Sequence, residues 1–128
     1  MKKIINIGNR QITMESTALT SLAYKKLFGE DILATLGTFK QTNITGVEAT
    51  NAIDSVSQLG FIMAKQADKT PVKELMSLDI EAYYEWLNQF DYGELYDAEI
   101  VSEILSVWSG NLTTSVDAKN VKDAQVDN

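Results

Sequence analysis

Lys3-Ile4-Ile5-Asn6-Ile7-Gly8-Asn9-Arg10-Gln11-Ile12-Thr13-Met14 reads as two strands around a two-residue turn. With Gly8-Asn9 as the turn, Ile7 faces Arg10, Ile5 faces Ile12 and Lys3 faces Met14. Ile5, Ile7, Ile12 and Met14 then share one face, while Asn6, Gln11 and Thr13 lie on the other, because side chains alternate along a strand. Glycine in the first turn position suits a type I′ or II′ hairpin, whose backbone needs positive φ there. A lone two-stranded hairpin is barely stable in water, so its apolar face must pack on other elements.

Those elements read as helices. Leu19, Leu22, Ala23 and Leu27 recur at helical spacing, with Thr20 as a candidate N-cap and Gly29 as a candidate stop. Glu30-Asp31 suits the positive end of a further short helix, to which Ile32, Leu33 and Leu36 give an apolar side, so the stretch 20–36 is expected to be helical. Residues 37–44 are polar and read as loop. Thr45-Gly46-Val47-Glu48 matches a capping box, in which each side chain satisfies a free backbone N–H of the other. From there Ala49, Ala52, Ile53, Val56, Leu59, Gly60, Met63 and Ala67 trace one stripe along a helix over 46–69. Pro71 fits the first position of a short helix at 71–76. Ile80, Tyr83, Tyr84 and Leu87 line a helix at 79–89. Ala98, Val101, Ile104, Leu105 and Trp108 line another at 95–109, with Gly110 as its terminator.

The expected fold is mainly α. An N-terminal β-hairpin, residues 2–14, packs on a small helical domain of about five helices, all within one domain spanning 1–112, followed by a flexible polar tail at 113–128. Its core is expected to join Ile5, Ile7, Ile12, Leu22, Leu27, Ile53, Val56, Leu87, Ile104 and Leu105.

The 128 residues include no cysteine and no histidine. Disulfides and thiolate or imidazole metal ligands are thereby excluded, and so is the side chain most used for proton transfer near neutral pH. The glycines form no phosphate-binding pattern. The expected class is a binding protein without catalytic residues or cofactor. No apolar run approaches the ~20 residues of a membrane helix, and Asn6 interrupts the short one near the N-terminus, so neither a membrane span nor an export signal is expected.

The net charge of −7 is unevenly distributed. Residues 1–73 carry nine basic and six acidic side chains, whereas residues 74–128 carry two and twelve. Between Glu74 and Leu112 there is no Lys or Arg at all. This argues against nucleic acid as a partner of the C-terminal half, since phosphate contacts need positive charge. It fits a basic protein partner or a plainly solvated face. Asp91, Glu94, Asp97, Glu99 and Glu103 lack the spacing of an EF-hand, so no metal site is expected.

Seven of the eleven aromatics fall within residues 83–108. Aromatic side chains among carboxylates have the composition of a docking surface, where rings anchor and charges steer. Core packing is the simpler account for Tyr84, Leu87 and Trp108. Trp86 and Tyr92 fall off the apolar stripes and are expected at the surface. The candidate partner-binding residues are Trp86, Tyr92, Tyr96, Glu99 and Glu103.

Tyr24-Lys25-Lys26-Leu27-Phe28-Gly29-Glu30-Asp31-Ile32-Leu33 resembles a recurrent block of the tail assembly chaperones of long-tailed phages infecting Gram-positive bacteria. In that block an aromatic and a basic pair precede Leu-Phe-Gly, an acid and apolar residues, after an N-terminal hairpin with an Ile-Gly-like turn. Trp108-Ser109-Gly110-Asn111 resembles the end of the family's last helix, and the likeness extends over most of residues 1–112. The resemblance implies a non-enzymatic protein of the host cytoplasm, absent from the mature virion. It implies binding to the aggregation-prone tape measure protein and recruitment of tail tube protein around it. Members of this family are commonly made in two lengths by a one-base ribosomal slip. Ala118-Lys119-Asn120 can be spelled GCA-AAA-AAC, which contains a slippery heptamer, and the polar tail would then be the linker to a frameshifted longer form. The competing classes are a head–tail connector or other structural protein of the particle, and an acidic nucleic-acid mimic that blocks a host DNA-binding protein.

Overall fold

The structure of the chain, a computed structural model, describes residues 1–35 and 47–110, with side chains in the second segment described from Asp54 onward. The readings made above for Leu36, the 37–44 loop, the Thr45 capping box, the Ile53 side chain and the 113–128 tail lie outside the described residues. The architecture is mainly α, with an N-terminal antiparallel hairpin packed against helices.

Strands β1 (Lys2–Ile7) and β2 (Arg10–Glu15) pair in the expected register, with Ile7 opposite Arg10, Ile5 opposite Ile12 and Lys3 opposite Met14. Gly8 has φ +60°, and Asn9 does not share the positive φ, which is the type II′ pattern. Glycine is required there twice over, because a Cβ at Gly8 would also overlap the Glu94 carboxylate. Ile5, Ile7 and Met14 are buried, and Ile12 is half-buried against them.

Helix α1 (Leu19–Phe28) ends on Gly29 in the left-handed conformation, φ 76°, whose N–H donates to the Lys25 carbonyl. Its start differs from expectation. Ala18 takes the N-cap position, and Thr20 lies buried in the first turn, where its Oγ1 donates to Gln66 Oε1 at 2.5 Å. Tyr24 is also buried, and its hydroxyl donates to Gln58 Oε1 at 2.8 Å. These two bonds fix the rotation of α1. Leu22 is two residues from each of them and so falls on the opposite side, 58% exposed, instead of in the core. In α2, of which 32–35 is described, Asp31 Oδ1 accepts from the Leu33 N–H at 3.0 Å and Ile32 is buried.

Helix α3 (Val47–Ala67) is the centre of the fold. From Ser55 to Ala64 every residue except Gln58 is buried, so this helix is enclosed on all sides rather than along one stripe. It packs against β2, α1 and the helices that follow it. At Gly60 an added Cβ would lie 3.2 Å from Met14 Cε and 3.4 Å from Ile104 Cδ1, so hairpin and last helix meet across a residue without a side chain. The helix ends in a Schellman motif, with Thr70 N–H bonding Lys65 O and Lys69 N–H bonding Gln66 O. Lys69, not glycine, occupies the left-handed position, φ 63°.

Pro71 caps the one-turn helix α4 (Val72–Leu75). Helix α5 (Ile80–Leu87) is capped by Asp79, whose side chain accepts from Ala82 N–H at 2.9 Å. The helix expected at 95–109 is divided. One turn, α6 (Tyr92–Leu95), carries an Asp91–Glu94 capping box, and α7 covers 98–110. The division follows from Asp97, whose Oδ1 accepts from the Glu99 N–H at 2.9 Å and starts a new helix. The end of α7 lies outside the described residues, and Gly110 is itself helical. It is small because the Met1 side chain packs against it.

Of the expected core, Ile5, Ile7, Val56 and Ile104 are buried, and Ile12, Leu27, Leu87 and Leu105 are half-buried against it. An aromatic chain runs through it: Tyr24–Phe28, Phe28–Tyr83, Tyr83–Phe61, Phe61–Trp86 and Trp86–Phe90, with centroids 5.0–5.8 Å apart. Among the described residues every buried side-chain polar atom has a hydrogen-bond partner. Ser16 is one example, its buried Oγ donating to the Val107 carbonyl at 2.7 Å.

Candidate functional site

The acidic, aromatic part of the chain is assembled around one turn of α3. Ser57 Oγ donates to the Asp54 carbonyl at 2.8 Å and lies 2.6 Å from the Tyr83 hydroxyl, which comes from α5. Tyr96, just past α6, brings its hydroxyl to 3.5 Å from both Ser57 Oγ and Asp54 Oδ1. That separation is contact distance and not a strong hydrogen bond. Burial pushes the Tyr83 hydroxyl pKa well up. Burial also raises that of Tyr96, and the Asp54 carboxylate and Tyr92 add to the effect. An ordinary phenol is already neutral at physiological pH, and burial moves both of these further from ionisation.

Tyr92 stands outside this buried set. Its ring meets Tyr96 at a tilt of 61° with centroids 4.5 Å apart, and the side chain is 74% exposed. Its position is fixed from both directions. The Asp91–Glu94 capping box holds the turn that carries it, with Glu94 Oε1 accepting from the Asp91 N–H at 2.9 Å. The same Glu94 side chain leans on Gly8 of the hairpin.

No family model, curated protein or solved structure matches the chain.

The structure brings Tyr92 and Tyr96 together and leaves Tyr92 accessible. Trp86 is a correction. It is half-buried rather than fully exposed, edge-on to Phe61 and Phe90, and packs against the core as part of the aromatic chain. Glu99 is exposed in the first turn of α7, and Glu103 is half-buried one turn further on. Among the described residues the Glu99 N–H donates to Asp97 and the Glu103 carbonyl accepts from Ser106, and no hydrogen bond joins either residue to the tyrosine pair. Tyr84 is corrected in the other direction: it is 58% exposed, while its neighbour Tyr83 is buried. Adjacent residues on a helix point about 100° apart, so only one of the two can face α3. The hydrogen bond to Ser57 selects Tyr83. Sequence reasoning misses Asp54, which lies within the α3 stripe region as a lone acid. Its significance depends on Tyr96, 42 positions away.

Among the described residues no group of three or more acidic side chains is placed to hold a metal ion, and no helix is long and apolar enough to cross a membrane. The arrangement consists of two projecting tyrosines, Tyr84 and Tyr92, on a part of the chain without positive charge. Its chemistry is recognition: flat, amphipathic rings with little side-chain entropy to lose, surrounded by steering charge.

Proposed function

We propose that the chain is a protein-binding assembly factor of the kind its sequence resembles, a phage tail assembly chaperone that holds the tape measure protein in soluble form. The observation that carries this is the pair of exposed tyrosines, Tyr84 and Tyr92, in the stretch from Glu74 to Leu112 that has no Lys or Arg. Exposed aromatic rings beside unneutralised carboxylates suit the capture of amphipathic, basic helices. A nucleic-acid mimic would present carboxylates with few exposed rings, so the tyrosines favour a protein partner. Recruitment of tail tube protein through a frameshifted longer form belongs to the same proposal, as does absence from the mature particle.

Coexpression tests it. The long gene expected to neighbour this one should encode a tape measure protein whose fragments are insoluble alone and soluble with this chain. The complex should weaken when Tyr84 and Tyr92 are both replaced by Ala. Fragments that remain insoluble in its presence would refute the proposal. Recovery of the chain from purified particles by mass spectrometry would instead point to a structural component.

A further inference from the structure

We propose that Tyr92, Tyr96 and Asp54 form a receptor for one arginine side chain of the partner protein. The proposal rests on the protein-binding reading above and specifies the chemistry of the contact. Tyr92 is the most exposed large apolar side chain described, and its ring is braced edge-on against Tyr96 instead of folding onto the surface. Tyr96 also brings its hydroxyl to 3.5 Å from Asp54 Oδ1, so the same residue touches both the Tyr92 ring and a carboxylate. Asp54 is exposed, and among the described residues no lysine or arginine pairs with it. Nor does the stretch that carries Tyr92 and Tyr96 supply a cation, since residues 74–112 contain none. The nearest basic residue along α3 is Lys65, whose Nζ lies over the Phe61 ring, 5.7 Å from its centroid. It sits three turns further on, about 16 Å along the axis.

The three side chains thus offer an aromatic face, a carboxylate and a neutral phenol, and among the described residues no Lys or Arg is paired with them. A guanidinium satisfies all three. Its plane stacks on a tyrosine ring, and its edge donates to a carboxylate in the geometry that an ammonium lacks. The Tyr96 hydroxyl, protonated near neutral pH like any tyrosine, adds a dipole without a competing negative charge. A neutral side chain of the same shape would use the ring and leave Asp54 unpaired.

The test is a titration of the full chain, followed by NMR, with N-acetylarginine amide and with its uncharged isostere N-acetylcitrulline amide. Arginine is expected to produce saturating shifts of the Tyr92 and Tyr96 ring resonances, and citrulline is not. Asp54→Asn should weaken the arginine effect about two- to fivefold, the range of an exposed ion pair, and Tyr92→Ala should remove it. Both residues are exposed, so the amide spectrum should remain that of the folded chain. Equal shifts with citrulline, or non-saturating shifts spread over the carboxylates of residues 74–112, would overturn the receptor. The two proposals also fail separately. If tape measure fragments are captured but are indifferent to Asp54→Asn, the chaperone reading survives and the arginine receptor does not. If arginine binds at Tyr92 and Tyr96 and no fragment is captured, the reverse holds.

Discussion

Ser16 and Val107 are joined by a buried hydrogen bond, Ser16 Oγ to the Val107 carbonyl at 2.7 Å, which ties the end of the hairpin to the last described helix across 91 positions. The hydroxyl is inaccessible to water, so its partner cannot be replaced from solvent. Ser16→Ala is expected to cost about 1–3 kcal/mol, read as a drop in the urea midpoint. Serine to alanine at exposed Ser102 should leave the midpoint within about 0.5 kcal/mol of wild type.

The turn makes a second, separable prediction. Gly8→Ala places a methyl group both at φ +60° and against the Glu94 carboxylate. The backbone part should cost about 1–2 kcal/mol, with the collision adding to it. In the double variant Gly8→Ala, Glu94→Ala only the collision is relieved. A cycle of the four proteins should therefore show favourable coupling between the two changes. Strict additivity would mean that Glu94 simply moves aside.

Lys69 in the left-handed conformation is a site where the sequence departs from the best local choice. Lys69→Gly should stabilise the chain by about 0.5–1 kcal/mol, seen as a higher thermal midpoint. An unchanged or lower midpoint would show that unfolded-state entropy cancels the relief of strain.

Burial sets a pH dependence. The Tyr24 hydroxyl is pushed up to about 12 from an ordinary 10.0, chiefly by desolvation, and Tyr83 is shifted in the same direction. A phenol whose folded pKa lies above its unfolded value contributes full stability below about pH 10 and loses it as pH rises toward the folded value. Stability should therefore be level with respect to these tyrosines up to about pH 9 and decline above 10. Tyr83→Phe should make that decline shallower at the expense of the Ser57 bond, as measured by denaturation at pH 8 and pH 11.

Replacing interior and exterior leucine-like positions should separate them sharply. Ile104→Ala opens space beside Gly60 and Met14 and should cost about 2–5 kcal/mol. Leu22→Ala should change stability by less than about 0.5 kcal/mol. A large loss at Leu22 would mean that α1 is rotated from the position given by Thr20 and Tyr24.

The hairpin is legible in the sequence because a two-residue period and a glycine-led turn allow a single register. A slip by one would turn Ile5, Ile7 and Met14 outward. Helix rotation is less legible. Apolar spacing places Leu22 inside α1 and Tyr84 inside α5. The actual rotations follow polar anchors, Thr20 with Gln66, Tyr24 with Gln58 and Tyr83 with Ser57, whose partners lie 26 to 46 positions away. No window along the chain can contain such pairs. For the same reason Tyr92 is recognisable as an off-stripe ring, but the association of its neighbour Tyr96 with Asp54 is not. The division at Tyr96-Asp97 is legible only in hindsight, since aspartate is both an ordinary surface residue and a helix N-cap.

Gly60, where Met14 of β2 and Ile104 of α7 converge, also imposes an order on synthesis. The hairpin leaves the ribosome first, yet one wall of its resting place is made last. At roughly 5–20 residues per second, the 91 positions between Ser16 and Val107 take about 5–20 s to emerge. During that interval Ile5, Ile7 and Met14 can lean on α3 but cannot be sealed by α7. The nascent chain therefore passes through a stage with exposed apolar surface of its own before its fold can close.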